Sequence, residues 1–274
     1  MSGTSRLGWA ALAAVAFGTG AMSNMRAPGG PAPAPSGVPV HYTEGTVHGF
    51  LVLTTDDGTV IAHGDLLQLV ANDGIASRMV FHFGDGSVFE ESTTFTQQGS
   101  FVLKNYHLVQ SGPVFADDLD ATLSHSGAYT VKTKSHKDGA AHQYDGTLTM
   151  PGDVYNGMVP VIVKNVSTRQ NTSVHMVAFS PEPRLITLEL APSGATEKAH
   201  LGGHEENEVN FTLKPQLGFL LHIAAKLTGK MPPDSHVWIV TDDVPAFARS
   251  EGPLYTGPVW RIALASPSPL PTSP

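Results

Sequence analysis

The chain has 274 residues, with 16 Lys and Arg against 24 Asp and Glu, a formal net charge of −8 and no cysteine. That balance excludes a basic nucleic-acid-binding surface, and the missing thiol excludes disulfides, thiol catalysis, cysteine-based zinc sites and a lipidated N-terminal cysteine. Charged residues are only 15% of the chain and glycine and proline number 28 and 21, so the composition predicts one folded domain with many turns and biased tails.

Residues 1–23 read as a signal peptide. Arg6 and the amino terminus supply a small positive region, and the apolar run Leu7–Phe17 follows. That run has the length of a secretory core and falls short of the ~20 residues a membrane-spanning helix needs. Ala21-Met22-Ser23 places small residues where a signal peptidase cuts. The expectation is an exported protein, periplasmic or extracellular, with no transmembrane anchor after cleavage. Residues 24–39, rich in Pro, Ala and Gly, read as a disordered linker, and the Pro/Ser-rich residues 266–274 read as a disordered tail.

Between them, residues 40–265 carry short alternating segments closed by turn residues, the pattern of antiparallel β structure. Thr46–Thr55 and Thr59–Val70 flank Asp56-Asp57-Gly58, a hairpin signal. Strands are predicted at Ser77–Phe83, Ser87–Phe95, Ser100–Gln110, Gly127–Lys134 and His142–Met150. Pro151–Val166 breaks the rhythm, with Val154, Met158, Ile162 and Val166 spaced by four, and Asp153 is placed to cap a short or irregular helix. Strands resume at Ser173–Phe179, Arg184–Leu190, Glu197–His200 and Glu208–Lys214.

A second interruption is predicted over Gln216–Lys230, with Pro215 in the first helical turn and Gly229 at the stop. Leu217, Phe219, Leu220, Ile223, Ala224 and Leu227 form an apolar stripe wider than a helix resting on a sheet requires. These six residues are the candidate ligand-binding lid. Ser235–Thr241 and Gly257–Leu264 close the chain. About twelve strands in one run cannot stay flat, so the expected fold is mainly β: a single-domain antiparallel meander forming a curved half-barrel or partly closed barrel, with one or two short helices.

No local pattern announces chemistry. His200 and His204, with Glu205, form the best histidine cluster, but Gly202-Gly203 between them argues for a solvated turn. His136 and His142 flank another turn. Glu90-Glu91, Asp117-Asp118 and Asp242-Asp243 are adjacent, so on a strand each pair faces opposite ways and reads as exposed turn or edge charge. No G-x-S-x-G elbow, G-x-G-x-x-G or phosphate loop is present. No catalytic residue, metal ligand or cofactor is assigned. The strand aromatics Phe81, Phe83, Phe89, Phe95, Phe101, Tyr106, Trp238 and Trp260 read first as core and second as cavity lining.

Two stretches carry a resemblance: Arg78–Phe115, with FHFGDGSVFEESTTF and FVLKNYHLVQSGPVF, and Pro232–Leu264, with PPDSHVWIV, VPAFARSEG and GPVWRIAL. They resemble a group of uncharacterised exported bacterial β-rich proteins. The outline is also similar to the Lol-type lipoprotein-carrier half-barrels, which hold acyl chains in a curved sheet. The resemblance implies a compartment and a fold, and it brings no active site. The leading expectation is an exported, non-enzymatic protein of the cell envelope binding an apolar or lipid-like ligand in the concave face. Next stands a structural or interaction protein of the envelope, and third a hydrolase with a dispersed site. Oligomeric state is open.

Overall fold

In the computed structural model the described residues are 37–71, 74–179, 182–201, 204–216, 234–242, 244–255 and 257–265. The expected signal peptide, most of the linker, the Pro/Ser-rich tail and the lid stripe, Leu217, Phe219, Leu220, Ile223, Ala224 and Leu227, lie outside them.

The protein is mainly β, and its described residues form one open antiparallel sheet of 14 strands. The first eight strands form a meander: β1 (Val47–Thr54), β2 (Val60–Ala71), β3 (Gly74–Phe83), β4 (Val88–Gln98), β5 (Ser100–Ser111), β6 (Asp117–Ser124), β7 (Ala128–Ser135) and β8 (Ala141–Thr147). A crossover then carries the short helix α1 (Val159–Val163) to the opposite edge. There β9 (Thr172–Ala178), β10 (Arg184–Leu201), β11 (His204–Gln216), β12 (Ser235–Val240), β13 (Ala246–Gly252) and β14 (Trp260–Leu264) step back toward the centre. The last strand pairs with the first, Leu51 opposite Leu264 and Thr54 opposite Arg261. The edges are therefore β8 and β9, and the seam between the two meanders lies in the middle of the sheet.

Alternation decides which side chains face inward. Phe81 and Phe83 on β3, Phe89 and Phe95 on β4, Phe101 and Leu108 on β5, and Ala121 and Leu123 on β6 are buried in one continuous core. The same core takes Val154, Tyr155, Met158, Ile162 and Val163 from the crossover, and Phe211 and Val237 from the second meander. The outer face mixes exposed apolar side chains, Phe50, Leu67 and Leu69, with polar pairs between neighbouring strands: His48–Asp65 at 3.1 Å, Arg78–Glu90 at 2.7 Å and His107–Asp120 at 2.9 Å. Such exposed pairs contribute little stability individually.

The structure differs from the sequence reading at several points. β6 and β13 lie in stretches expected to be connections. Val38 and Pro39, assigned to the linker, belong to the folded part: the Val38 carbonyl accepts the Phe101 N–H at 3.0 Å. Asp153 caps no helix, because its carboxylate bonds His175 Nδ1 at 2.8 Å, while the N-cap of α1 is Met158, which makes no side-chain cap bond. Pro215 ends β11 rather than opening a helix. It sits beyond the last β11–β12 pair, Leu213 with Ser235, where no described strand pairs with β11 on that side and a missing N–H is tolerated.

Candidate functional site

The crossover seals part of the inner face with polar anchors. Tyr155 is buried, and its hydroxyl accepts the Val38 N–H at 2.7 Å and donates to the Phe101 carbonyl at 3.3 Å. The Asn156 side chain copies a strand: its amide donates to the Val177 carbonyl and accepts the Val177 N–H, both at 2.8 Å. Asn165 accepts the backbone N–H groups of His41 and Tyr42 at 2.9 and 2.7 Å. Lys164 pairs with Glu44 at 2.5 Å, the two side chains only 14% and 7% exposed, and Gln68 donates to the other Glu44 oxygen at 3.0 Å. Every anchor ties the crossover to the sheet or to the segment that enters β1.

One inner-face row runs straight across the first meander: Gly49, Leu66, Met79, Glu91, Leu108, Ala121, Val131 and Tyr144 face each other strand by strand. Leu108, Ala121 and Val131 are fully buried. Leu66, Met79 and Glu91 are only half-buried. The row thus passes from full burial under β5–β7 to partial burial under β2–β4, where Leu66 and Met79 still pack against the core. Ile262, also half-buried, continues the apolar side onto β14. On the same face Val47 and Leu264 stay 45% and 41% exposed.

Glu91 is the charge-bearing group of this strip. Tyr106 Oη donates to its Oε1 at 2.7 Å. The carboxyl lies deep enough that loss of hydration pushes its pKa above the usual carboxylate range, against the lowering effect of the Tyr106 bond. Burial, and then the negative charge of Glu91, push the Tyr106 hydroxyl well above the ordinary phenol range. Tyr106 stacks on Phe179 with ring centres 5.9 Å apart, and Phe179 N–H donates to the Tyr255 hydroxyl. Tyr106 keeps its proton at any physiological pH and gives it to Glu91 Oε1, so the group left for a ligand is the second Glu91 oxygen, an acceptor when ionised and a donor when protonated.

A pH prediction follows from the raised carboxyl. Folded Glu91 keeps its proton at pH values where the unfolded chain has lost it, so its share of stability is present below the ordinary glutamate range and is lost as pH rises through the folded value. Glu91→Gln keeps an oxygen for the Tyr106 hydroxyl and removes the titration. The variant should gain stability over the parent as pH is raised from about 4, read as urea midpoints across pH. A constant difference at all pH values would contradict the reading.

The sequence placed Glu91 with the exposed edge charges. The structure corrects this: Glu90 points outward to Arg78, and its neighbour points in. Asp118 accepts the Gly112 N–H at 3.0 Å and bonds His136 at 2.8 Å, and Asp242 ties down Asn207, so these carboxylates serve turns. His204 sits at the tip of the β10–β11 hairpin, opposite Leu201. Among the described residues, no group of three or more His, Asp or Glu side chains could hold a metal ion, and no helix is long and apolar enough to cross a membrane. Seven of the eight strand aromatics join the core. Trp238 instead lies on the opposite face under the Arg249 guanidinium, 3.9 Å from its ring centre, with Arg249 bonded to the buried Glu208.

No family model, curated protein or solved structure matches this chain. What bears on function is the inner-face strip itself.

Proposed function

We propose that the chain is an exported, non-enzymatic protein of the cell envelope that holds an apolar or lipid-like ligand in the part of the inner face its crossover leaves open. The observation that carries this reading is the change along one register row, from fully buried Leu108, Ala121 and Val131 to half-buried Leu66, Met79 and Glu91. Apolar side chains left accessible on the inside of a curved sheet gain by covering with a hydrocarbon chain, at roughly 25 cal/mol per Å² buried. The Glu91 oxygen that Tyr106 does not engage would meet a polar head group carrying a hydroxyl or amine, because it has an acceptor to satisfy. The Lol-type resemblance agrees with this reading and adds no residue to it.

Native mass spectrometry of protein purified from its own host envelope tests the proposal. The expected result is a co-purified amphiphile, lost or weakened in Met79→Asp, which sets a charge on the apolar wall. Met79→Asp that remains folded and carries the same amphiphile at the same occupancy, or a parent protein that carries none and takes up no fluorescent fatty-acid probe, would sink it.

A further inference from the structure

The two edges of the sheet are treated differently. Along β9, backbone and side chain of the crossover occupy the free groups: Tyr155 N–H donates to the His175 carbonyl, His175 N–H to the Asp153 carbonyl, and the Asn156 amide takes both groups of Val177. Nothing among the described residues lies along the outer side of β8, where every residue but Tyr144 is exposed. An uncovered strand of this length is a template for another strand. Most sheets blunt such edges, and among the described residues this one does so at β9.

The hydrogen-bond phase of β8 is fixed by its partner. Leu148 N–H bonds the Gly127 carbonyl, one step past the Ala128–Thr147 pair. Even-numbered residues therefore bond β7, and Ala141, Gln143, Asp145 and Thr147 present their N–H and C=O groups outward. We propose that this edge pairs with the β8 of a second copy, antiparallel, about a two-fold axis at Tyr144. In that register Gln143 of one chain faces Asp145 of the other, and Ala141 faces Thr147, so all outward groups bond in pairs. The facing side chains match, since the Gln143 amide already bonds the Asp145 carboxylate at 2.7 Å within one chain. Centring on Asp145 would set two carboxylates face to face, which is destabilising. Centring on Gln143 would leave Thr147 unpaired. The interface is isologous and closes on itself, joining two open sheets without leaving a further edge for growth, because β9 is covered.

The chain has no cysteine, which makes the register directly testable. Tyr144 and its copy form a non-hydrogen-bonded antiparallel pair, with Cα atoms about 4.5 Å apart, inside the range a disulfide spans. Mild oxidation of Tyr144→Cys should give a cross-linked dimer on a non-reducing gel, and Gln143→Cys, facing Asp145, should not. Sedimentation of the unmodified protein should show twice the monomer mass at high concentration. Gln143→Pro removes one outward N–H without touching the β7 ladder and should return it to monomer with an unchanged far-UV spectrum. A parent that stays monomeric, a dimer that survives Gln143→Pro, or cross-linking of Gln143→Cys as fast as Tyr144→Cys would overturn the proposal. None of these readouts depends on a bound ligand.

Discussion

Lys164→Met should lower stability by about 3–5 kcal/mol, the cost of removing one member of a buried ion pair. The Glu44 carboxylate would stay folded against the crossover with Gln68 as its remaining side-chain donor. Its backbone is held as well, by Gln97 Oε1 on the N–H at 2.7 Å and Gln97 Nε2 on the carbonyl at 2.9 Å, so the charge cannot swing out to water cheaply. Adding Glu44→Gln to Lys164→Met should recover a large part of the loss, since a neutral amide needs less solvation than an unpaired charge. Chemical denaturation of the two single variants and the double variant checks this. Strict additivity of the single losses would show that the pair does not couple.

Gly157→Ala should be nearly as damaging, for a different reason. Gly157 has φ +68° where the crossover passes over β4 and β5. A Cβ there would lie 2.1 Å from Thr93 Oγ1 and 3.0 Å from the Tyr106 ring. Left-handed strain of about 1–3 kcal/mol adds to overpacking of about 1–3 kcal/mol. Thr93 cannot turn away freely, because it donates to the Asn156 carbonyl at 3.4 Å. Gly58→Ala is the control: φ is +86° with nothing within 4 Å of the new Cβ, so only the backbone strain remains. A thermal melt should separate the two variants by several degrees, Gly157→Ala being lower. Equal shifts would mean that the close approach to Thr93 carries no weight.

The strands were legible where alternation met a strong turn, as in β1–β2 around Asp56-Asp57-Gly58 and in β3–β5 with their inward phenylalanines. β6 was missed because Asp117, Asp118 and Asp120 mask the alternation of Leu119, Ala121 and Leu123. β13 was missed because its Ala-Phe-Ala-Arg-Ser-Glu-Gly has a single large apolar residue. The pairing order is long-range: nothing local in Leu51 or Leu264 says that the first strand lies beside the last. Asp153 and Asn156 read as helix or turn residues because their partners, His175 and Val177, are more than twenty positions away. The inner-face strip was legible only as a possibility, since a cavity wall and a core use the same residue types. Glu91 was hidden for a simpler reason. A two-residue acidic pair looks like surface until the register shows which member turns inward.

Where the chain enters and leaves the sheet has a mechanical consequence. β1 and β14 are adjacent and antiparallel, so the start of β1 and the end of β14 lie at the same end of the seam, with the Ala265 N–H still bonded to the Phe50 carbonyl. Tension applied through the residues before Gly37 and after Ala265 pulls two neighbouring strands apart from one end. The β1–β14 bonds then break one at a time, like a zipper, rather than together in shear. The segment from Val38 to Glu44 resists first, through Tyr155, Asn165 and Lys164. If both flanking segments were fixed in the envelope, stretching them would part the molecule along its middle at low force and lay open the inner face on both sides of the seam.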